Sequence, residues 1–213
     1  MKLAINAGHT ITGVGTGAVG HINESKENRE VTKLVIQMLK QLGHSVIDCT
    51  IDKSDNYLKD AVNIANNYNV DLAVSIHFNA GGGTGVETLV YNGHDIPNKY
   101  AKSVNKEISS LGYKNRGVKQ RPDLYWLKAT TAKAILIECC FVDSKEDISK
   151  YSAKKMAEAI TKGLVGELPL DKTIGEQSDL YAVCVGAYTR KNADRILEEV
   201  KLKGYKDAYL ISR

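Results

Sequence analysis

Short unbroken apolar runs alternate along this chain with stretches in which apolar residues recur every three or four positions. The first pattern is that of a buried strand, the second that of a helix with one covered face. Residues 2–7 read as a strand. A glycine-rich loop over 13–20 follows, and then a helix over 25–42, apolar at Val31, Leu34, Val35, Met38, Leu39 and Leu42 and stopped by Gly43. Strand 45–49, a helix over 57–68 behind the capping cluster Ser54-Asp55-Asn56, and strand 72–77 continue the alternation. After the glycines at 81–83 come strand 85–91, the turn Asn92-Gly93 and a helix over 97–111 opened by Pro97. A short extended piece at 124–127, strand 134–139 and a closing helix over 152–165 complete the series. Strands separated by helices of about ten residues or more imply βαβ units. The expected fold class is therefore α/β, with a mostly parallel twisted sheet flanked by helices.

The pattern stops after residue 166. Residues 167–179 carry proline, glycine and charge with little periodicity and read as a linker. Beyond it a small β-α-β tail module is expected over 180–213, with strands at 180–187 and 207–211 around a helix at 190–203. A unit of this size lies below the usual limit for folding alone. It has no internal duplicate, so it is expected either to dock on the large domain or to pair with the same unit of a second chain.

Composition narrows the function classes. A net charge of +4 over 213 residues is too mild for a nucleic-acid binder, and the tail holds much of the excess, with seven Lys/Arg against four Asp/Glu in 180–213. No segment reaches transmembrane length, so no membrane partner is expected. The four cysteines form no CxxC pair, which argues against a disulfide framework and against thiolate-bound zinc. The chain starts directly on a strand, without a basic segment leading into an apolar one. Synthesis in the cytoplasm is expected, with no visible Sec route out.

Three predicted strands run into ionisable side chains: His9 after Ala7-Gly8, His77 after Ile76, and Glu138 after Ile137. In an open α/β sheet ligands collect outside the carboxyl ends of the strands. Groups 68 and 61 positions apart are thereby expected at one sheet edge, with Glu24 nearby. Two imidazoles and a carboxylate are a common set for catalytic zinc, with a fourth position left for water. Each residue has a plainer reading. His9 and His77 also suit polar loop positions, and Glu24 suits the start of a helix, where the dipole favours an acid. Glu27 and Glu30 compete with it but fall further along the helix. Glu138, preceded by four apolar residues, is expected to be desolvated and so to need a partner or a raised pKa. It suits either an ion pair with a lysine or arginine, or a base that takes a proton from water and returns it to a leaving amine. His21, His44 and His94 read as loop and turn residues, and Cys139 and Cys140 as inert buried thiols. The loop over 13–20 lacks the P-loop Lys-Ser/Thr and reads as the border of a groove.

At these residues the chain resembles the zinc-dependent N-acetylmuramoyl-L-alanine amidases of bacterial autolysins and phage endolysins. The matching stretches are Ile5-Asn6-Ala7-Gly8-His9, Glu24 to Asn28, Ser75-Ile76-His77-Phe78-Asn79-Ala80, and Ile135-Leu136-Ile137-Glu138-Cys139-Cys140-Phe141. The resemblance covers residues 1–166, with two departures: Thr131-Ala132-Lys133 replaces a frequent proline, and Cys140 a usual glycine. It implies zinc (Zn2+) held by His9, Glu24 and His77, and Glu138 as catalytic base and acid. It further implies bacterial peptidoglycan as partner and the amide between N-acetylmuramic acid and L-alanine as substrate. Asn79 and Arg121 are candidate substrate contacts. The tail, with Tyr181, Gly186, Ala187, Tyr188, Ala193, Gly204 and Tyr205, resembles half of a SPOR peptidoglycan-binding module. That implies a homodimer in which two tails complete one module. Two other functions remain open: a glycosidase using Glu24 and Glu138 as paired carboxylates, and a wall-binding protein without catalysis.

Overall fold

The computed structural model describes residues 1–169 and 190–202. The chain divides into two compact units, Met1–Leu170 and Asp171–Arg213. In chain order the first comprises β1 (Lys2–Ala7), α1 (Glu24–Gln41), β2 (Ser45–Asp48), α2 (Tyr57–Asn66), β3 (Leu72–Asn79), β4 (Val86–Val90), α3 (Asp95–Ser109), β5 (Asn115–Gln120), α4 (Tyr125–Ala129), β6 (Ala134–Phe141), α5 (Lys145–Ile148) and α6 (Ala153–Val165). The described part of the second unit is one helix, α7 (Arg190–Leu202). The expected tail strands, and most of the expected linker, lie outside the described residues.

Six strands form one sheet in the order β2-β1-β3-β6-β4-β5. All neighbouring pairs are parallel except β4 and β6, which run antiparallel. The mixed α/β class and mostly parallel sheet are those expected. Both faces are covered, which is why the inner strands read as unbroken apolar runs. Leu3, Ile5, Val74, Ile76, Ile135 and Ile137 pack in one core with Val31 and Val35 of α1, Val104 and Ile108 of α3, and Met156 and Ile160 of α6. Ala4, Ala73, Leu89 and Leu136 point the other way, against Ala61, Val62 and Ala65 of α2 and Trp126 and Leu127 of α4. The second layer is the thinner one.

Side chains alternate between faces along a strand. Asn6, Ser75, His77, Glu87 and Glu138 therefore share the thinner face with Ala4, Ala73, Leu89 and Leu136. Register completes the placement: His77 is paired with Glu138 across β3 and β6, and Glu138 with Glu87 across β6 and β4.

Two expectations change. The stretch at 124–127 is not extended but leads into α4, and β5 was not anticipated at all. The sequence of β5, Asn-Arg-Gly-Val-Lys-Gln, is polar because β5 is an edge strand. Both β3 and β6 also run past the predicted ends, so His77 and Glu138 lie inside strands rather than at their termini.

Candidate active site

Three elements bring His9, Glu24 and His77 together. Asn23 caps α1 by accepting from Lys26 N through its side chain, and this sets Glu24 as the first helical residue. The Glu24 carboxylate is buried, with Oε2 accepting from Ala18 N at 2.9 Å and Oε1 from Phe78 N at 3.1 Å. His9 Nε2 and His77 Nδ1 both lie 3.3 Å from Glu24 Oε1. The two imidazole rings meet edge to face, with centroids 4.9 Å apart. Among the described residues this is the one cluster of three His, Cys, Asp or Glu side chains whose donor atoms all lie within 4.8 Å of one another.

The far side of each ring decides what the near side offers. His9 Nδ1 is 3.0 Å from the Gly15 carbonyl, so its N–H donates there. His77 Nε2 is 3.0 Å from Ser75 Oγ. Turned so that its amide nitrogen donates to Ala7 O and Cys49 O, Asn6 accepts from Ser75 Oγ at 2.9 Å. The hydroxyl proton is then spent on Asn6, and Ser75 Oγ accepts from His77 Nε2–H. Both rings are left with a lone-pair nitrogen aimed at the Glu24 carboxylate and an N–H anchored on the far side, as in metal-ligating histidines. The spacing fits as well. A tetrahedral ion with ligands at about 2.0–2.1 Å separates its donors by about 3.3 Å. Without an ion, the arrangement favours a proton on the His9 ring. Burial disfavours a charged His9 ring, but the Glu24 carboxylate outweighs it and the His9 pKa lies above its usual value. For Glu24, burial pushes upward, yet hydrogen bonds from His77 and His9 hold the carboxyl well below the usual range.

Two glycines make this packing possible. A Cβ on Gly8 would lie 2.1 Å from the His77 ring, and one on Gly17 would lie 2.7 Å from Glu24 Oε2. The loop over 13–20 reads in the sequence as a groove border; the role of Gly17 within it, and of Gly8 before it, emerges only once Glu24 and His77 pack against them. Ser75 was likewise legible only as part of a motif.

Glu138 stands beside this cluster. Its Oε2 is buried and has no hydrogen-bond partner among the described residues. Burial pushes its pKa up; His77 and His9 pull it down, and the Glu24 and Glu87 charges push it back up, to about 7. Among the described residues no lysine or arginine pairs with it, so the ion-pair alternative does not describe it. Glu138, His9 and His77 line a cavity of about 300 Å³ whose remaining wall includes Tyr57, Leu58, Arg121 and Trp126. Arg121 is half-exposed there and forms two bonds to Asp123, at 2.9 and 2.8 Å. Asn79 is placed differently, with its amide donating to Glu87 Oε1 at 3.2 Å and its Oδ1 accepting from Ala80 N. Of the weaker candidates, Glu27 accepts from Tyr151 Oη on the other face, and Cys49, Cys139 and Cys140 are free and buried. Burial raises all three thiols, to about 12 for Cys49, which leaves them inert.

Comparison with known proteins points the same way. The family described as N-acetylmuramoyl-L-alanine amidase matches residues 3–167. An uncharacterized protein of Clostridium perfringens is 36% identical over 78% of this chain, which spans 53% of that relative, about half its length. The sporulation-specific N-acetylmuramoyl-L-alanine amidase of Bacillus subtilis is 29% identical over 99% of this chain and 85% of its own length. Among solved structures, the catalytic domain of the CD27L endolysin targeting Clostridia Difficile is 29% identical with a TM-score of 0.72. It covers 78% of this chain and 98% of that domain.

Proposed function

Because the chain belongs to the N-acetylmuramoyl-L-alanine amidase family, we propose that it hydrolyses the amide between N-acetylmuramic acid and L-alanine in bacterial peptidoglycan, with zinc held by His9, Glu24 and His77. One observation carries the reading: two imidazole nitrogens converge on Glu24 Oε1 at 3.3 Å, and Glu138 lies in register beside one of them.

Zinc, when bound, supplies a Lewis acid that polarises the scissile carbonyl and lowers the pKa of water. Glu138 does the proton work. Its carboxylate takes a proton from the attacking water as the carbon–oxygen bond forms, then gives that proton to the L-alanine nitrogen as the carbon–nitrogen bond breaks. In the metal-free protein burial raises the Glu138 pKa to about 7, a basicity that favours its taking the proton from water. The Glu138 Oε2 atom has no competing partner to satisfy. The cavity walled by Tyr57, Leu58 and Trp126 seats the apolar parts of the substrate. Arg121, at its rim, and Asn79, beside Glu87, contact polar substrate groups.

A glycosidase is the weaker reading, because Glu24 is bonded by two backbone N–H groups and faced by two imidazoles. It is not free to act as the second of two catalytic carboxylates. The tail over 180–213 is proposed as a half SPOR module that holds peptidoglycan once two chains pair, and a strict monomer in sedimentation overturns the pairing. For the activity, purified peptidoglycan is incubated with the protein, and new α-amino groups and reducing ends are followed. New alanine amines that stop on chelation and return with zinc support the reading. Reducing ends, or release indifferent to chelation, overturn it.

A further inference from the structure

We propose that Arg29 is a positioning residue for the metal centre, acting through the backbone of His9; the proposal rests on the reading of His9, Glu24 and His77 as the ion-holding residues. Among the described residues His9 is the one non-glycine with a positive φ, 62°. A left-handed backbone is disfavoured for a residue with a side chain. Such a conformation persists only where its surroundings over-determine it. Arg29 supplies that constraint. Its Nη2 donates to the carbonyls of His9 and Ile51, each at 3.0 Å. Its Nη1 donates to Ser25 O at 2.8 Å and reaches Asn28 Oδ1 at 3.2 Å and Gly8 O at 3.4 Å. Its Nε donates to Asp52 Oδ1 at 2.8 Å.

One guanidinium thus joins the backbone that carries His9, the first turn of the helix that begins with Glu24, and the loop after β2. Neighbouring bonds reinforce the same junction. Asn28 Nδ2 donates to Gly8 O at 2.7 Å, and Ile11 N to Asp52 O at 2.9 Å. The side chain is only 17% exposed, whereas that of Asp52 is 72% exposed. Water therefore competes for the carboxylate bond far more than for the carbonyl bonds. A planar fork of five donors serves these acceptors together, while the three donors of a lysine sit on one atom and cannot span them. Two of the three ion-holding residues are set relative to each other by a side chain that contacts neither of their ligand atoms.

The test is zinc affinity by competition with a chromophoric chelator, on wild type, R29K, R29Q and D52N, with the melting temperature of each zinc-free protein. R29K and R29Q are expected to bind zinc about 10–100-fold more weakly, the usual consequence of losing an outer-shell partner. D52N keeps the carbonyl bonds and is expected within about threefold of wild type. A purely structural role would lower the zinc-free melting temperature of R29K while leaving its zinc affinity unchanged, and that result overturns the proposal. So does a D52N variant weakened as much as R29K. If R29Q fails to fold, R29K carries the comparison, since it keeps the charge and most of the volume. A wild-type protein that binds no zinc overturns the ligand reading itself; equal affinity in wild type and R29K overturns only the role of Arg29.

Discussion

Glu87 and Glu138 are the same residue type, opposite each other on one face of one sheet, yet their surroundings differ completely. Glu87 is buried but answered. Arg116 Nε lies 2.8 Å and Lys119 Nζ 2.7 Å from its Oε2, and Asn79 bonds its Oε1. Burial alone would raise its pKa, but these cations outweigh the effect and hold the carboxyl below its usual value. Glu138 has burial without the cations, and its pKa rises to about 7. The edge strand β5 accounts for the difference, since Arg116 and Lys119 on it pair with Glu87 of the neighbouring β4, whereas Glu138 lies one strand further in. A carboxylate with charged partners is a fixed charge, while one left without them becomes a proton carrier. The pair shows that a buried acid is judged by its neighbours rather than by its depth.

Four changes break or sharpen this contrast. The largest effect is expected from E138Q, which removes the proposed proton carrier; kcat on purified peptidoglycan should fall about 10²–10⁴-fold. The second is E87Q, which leaves Arg116 and Lys119 facing a neutral amide. Urea unfolding should show a loss of about 1–3 kcal/mol, with kcat reduced far less than in E138Q. Third, the two acids should impose opposite pH slopes on the stability of the zinc-free protein. Glu87 has a lowered folded pKa, so its contribution is present above 4.5 and is lost as pH falls through the folded value. Glu138 has a raised one, so its contribution is present below 4.5 and is lost as pH rises towards 7. Melting temperatures in chelator should show both slopes, with E87Q removing the first and E138Q the second. The smallest effect is expected from R121A, which should raise KM about fivefold through one lost polar contact and leave kcat nearly unchanged.

The half of this contrast that was legible in the sequence is the half built on local signals. His9, His77 and Glu138 each follow a strong apolar run, and Glu24 heads an amphipathic helix. A parallel sheet then gathers such residues at one edge. Glu138 was also readable as a buried acid needing either a partner or a raised pKa, but deciding between them required knowing what lies across the sheet. Glu87 gave no signal, because its partners come from a polar edge strand without an apolar pattern. Its position opposite Glu138 depends on β4 inserting antiparallel beside β6. Gly8, Gly17 and Arg29 escaped for the same reason. Each acts through a contact with a distant segment, or through backbone carbonyls that any residue would present.

The proposed reading divides the labour: His9, Glu24 and His77 would hold the ion and Glu138 would move the proton. The most direct measurement is the zinc content of purified wild type, H77A and E138Q, each paired with assay of amines released from peptidoglycan. The account predicts bound zinc and activity in wild type, neither in H77A, and bound zinc without activity in E138Q. An E138Q protein that loses its zinc, or one that keeps its zinc and still releases alanine amines at the wild-type rate, contradicts it.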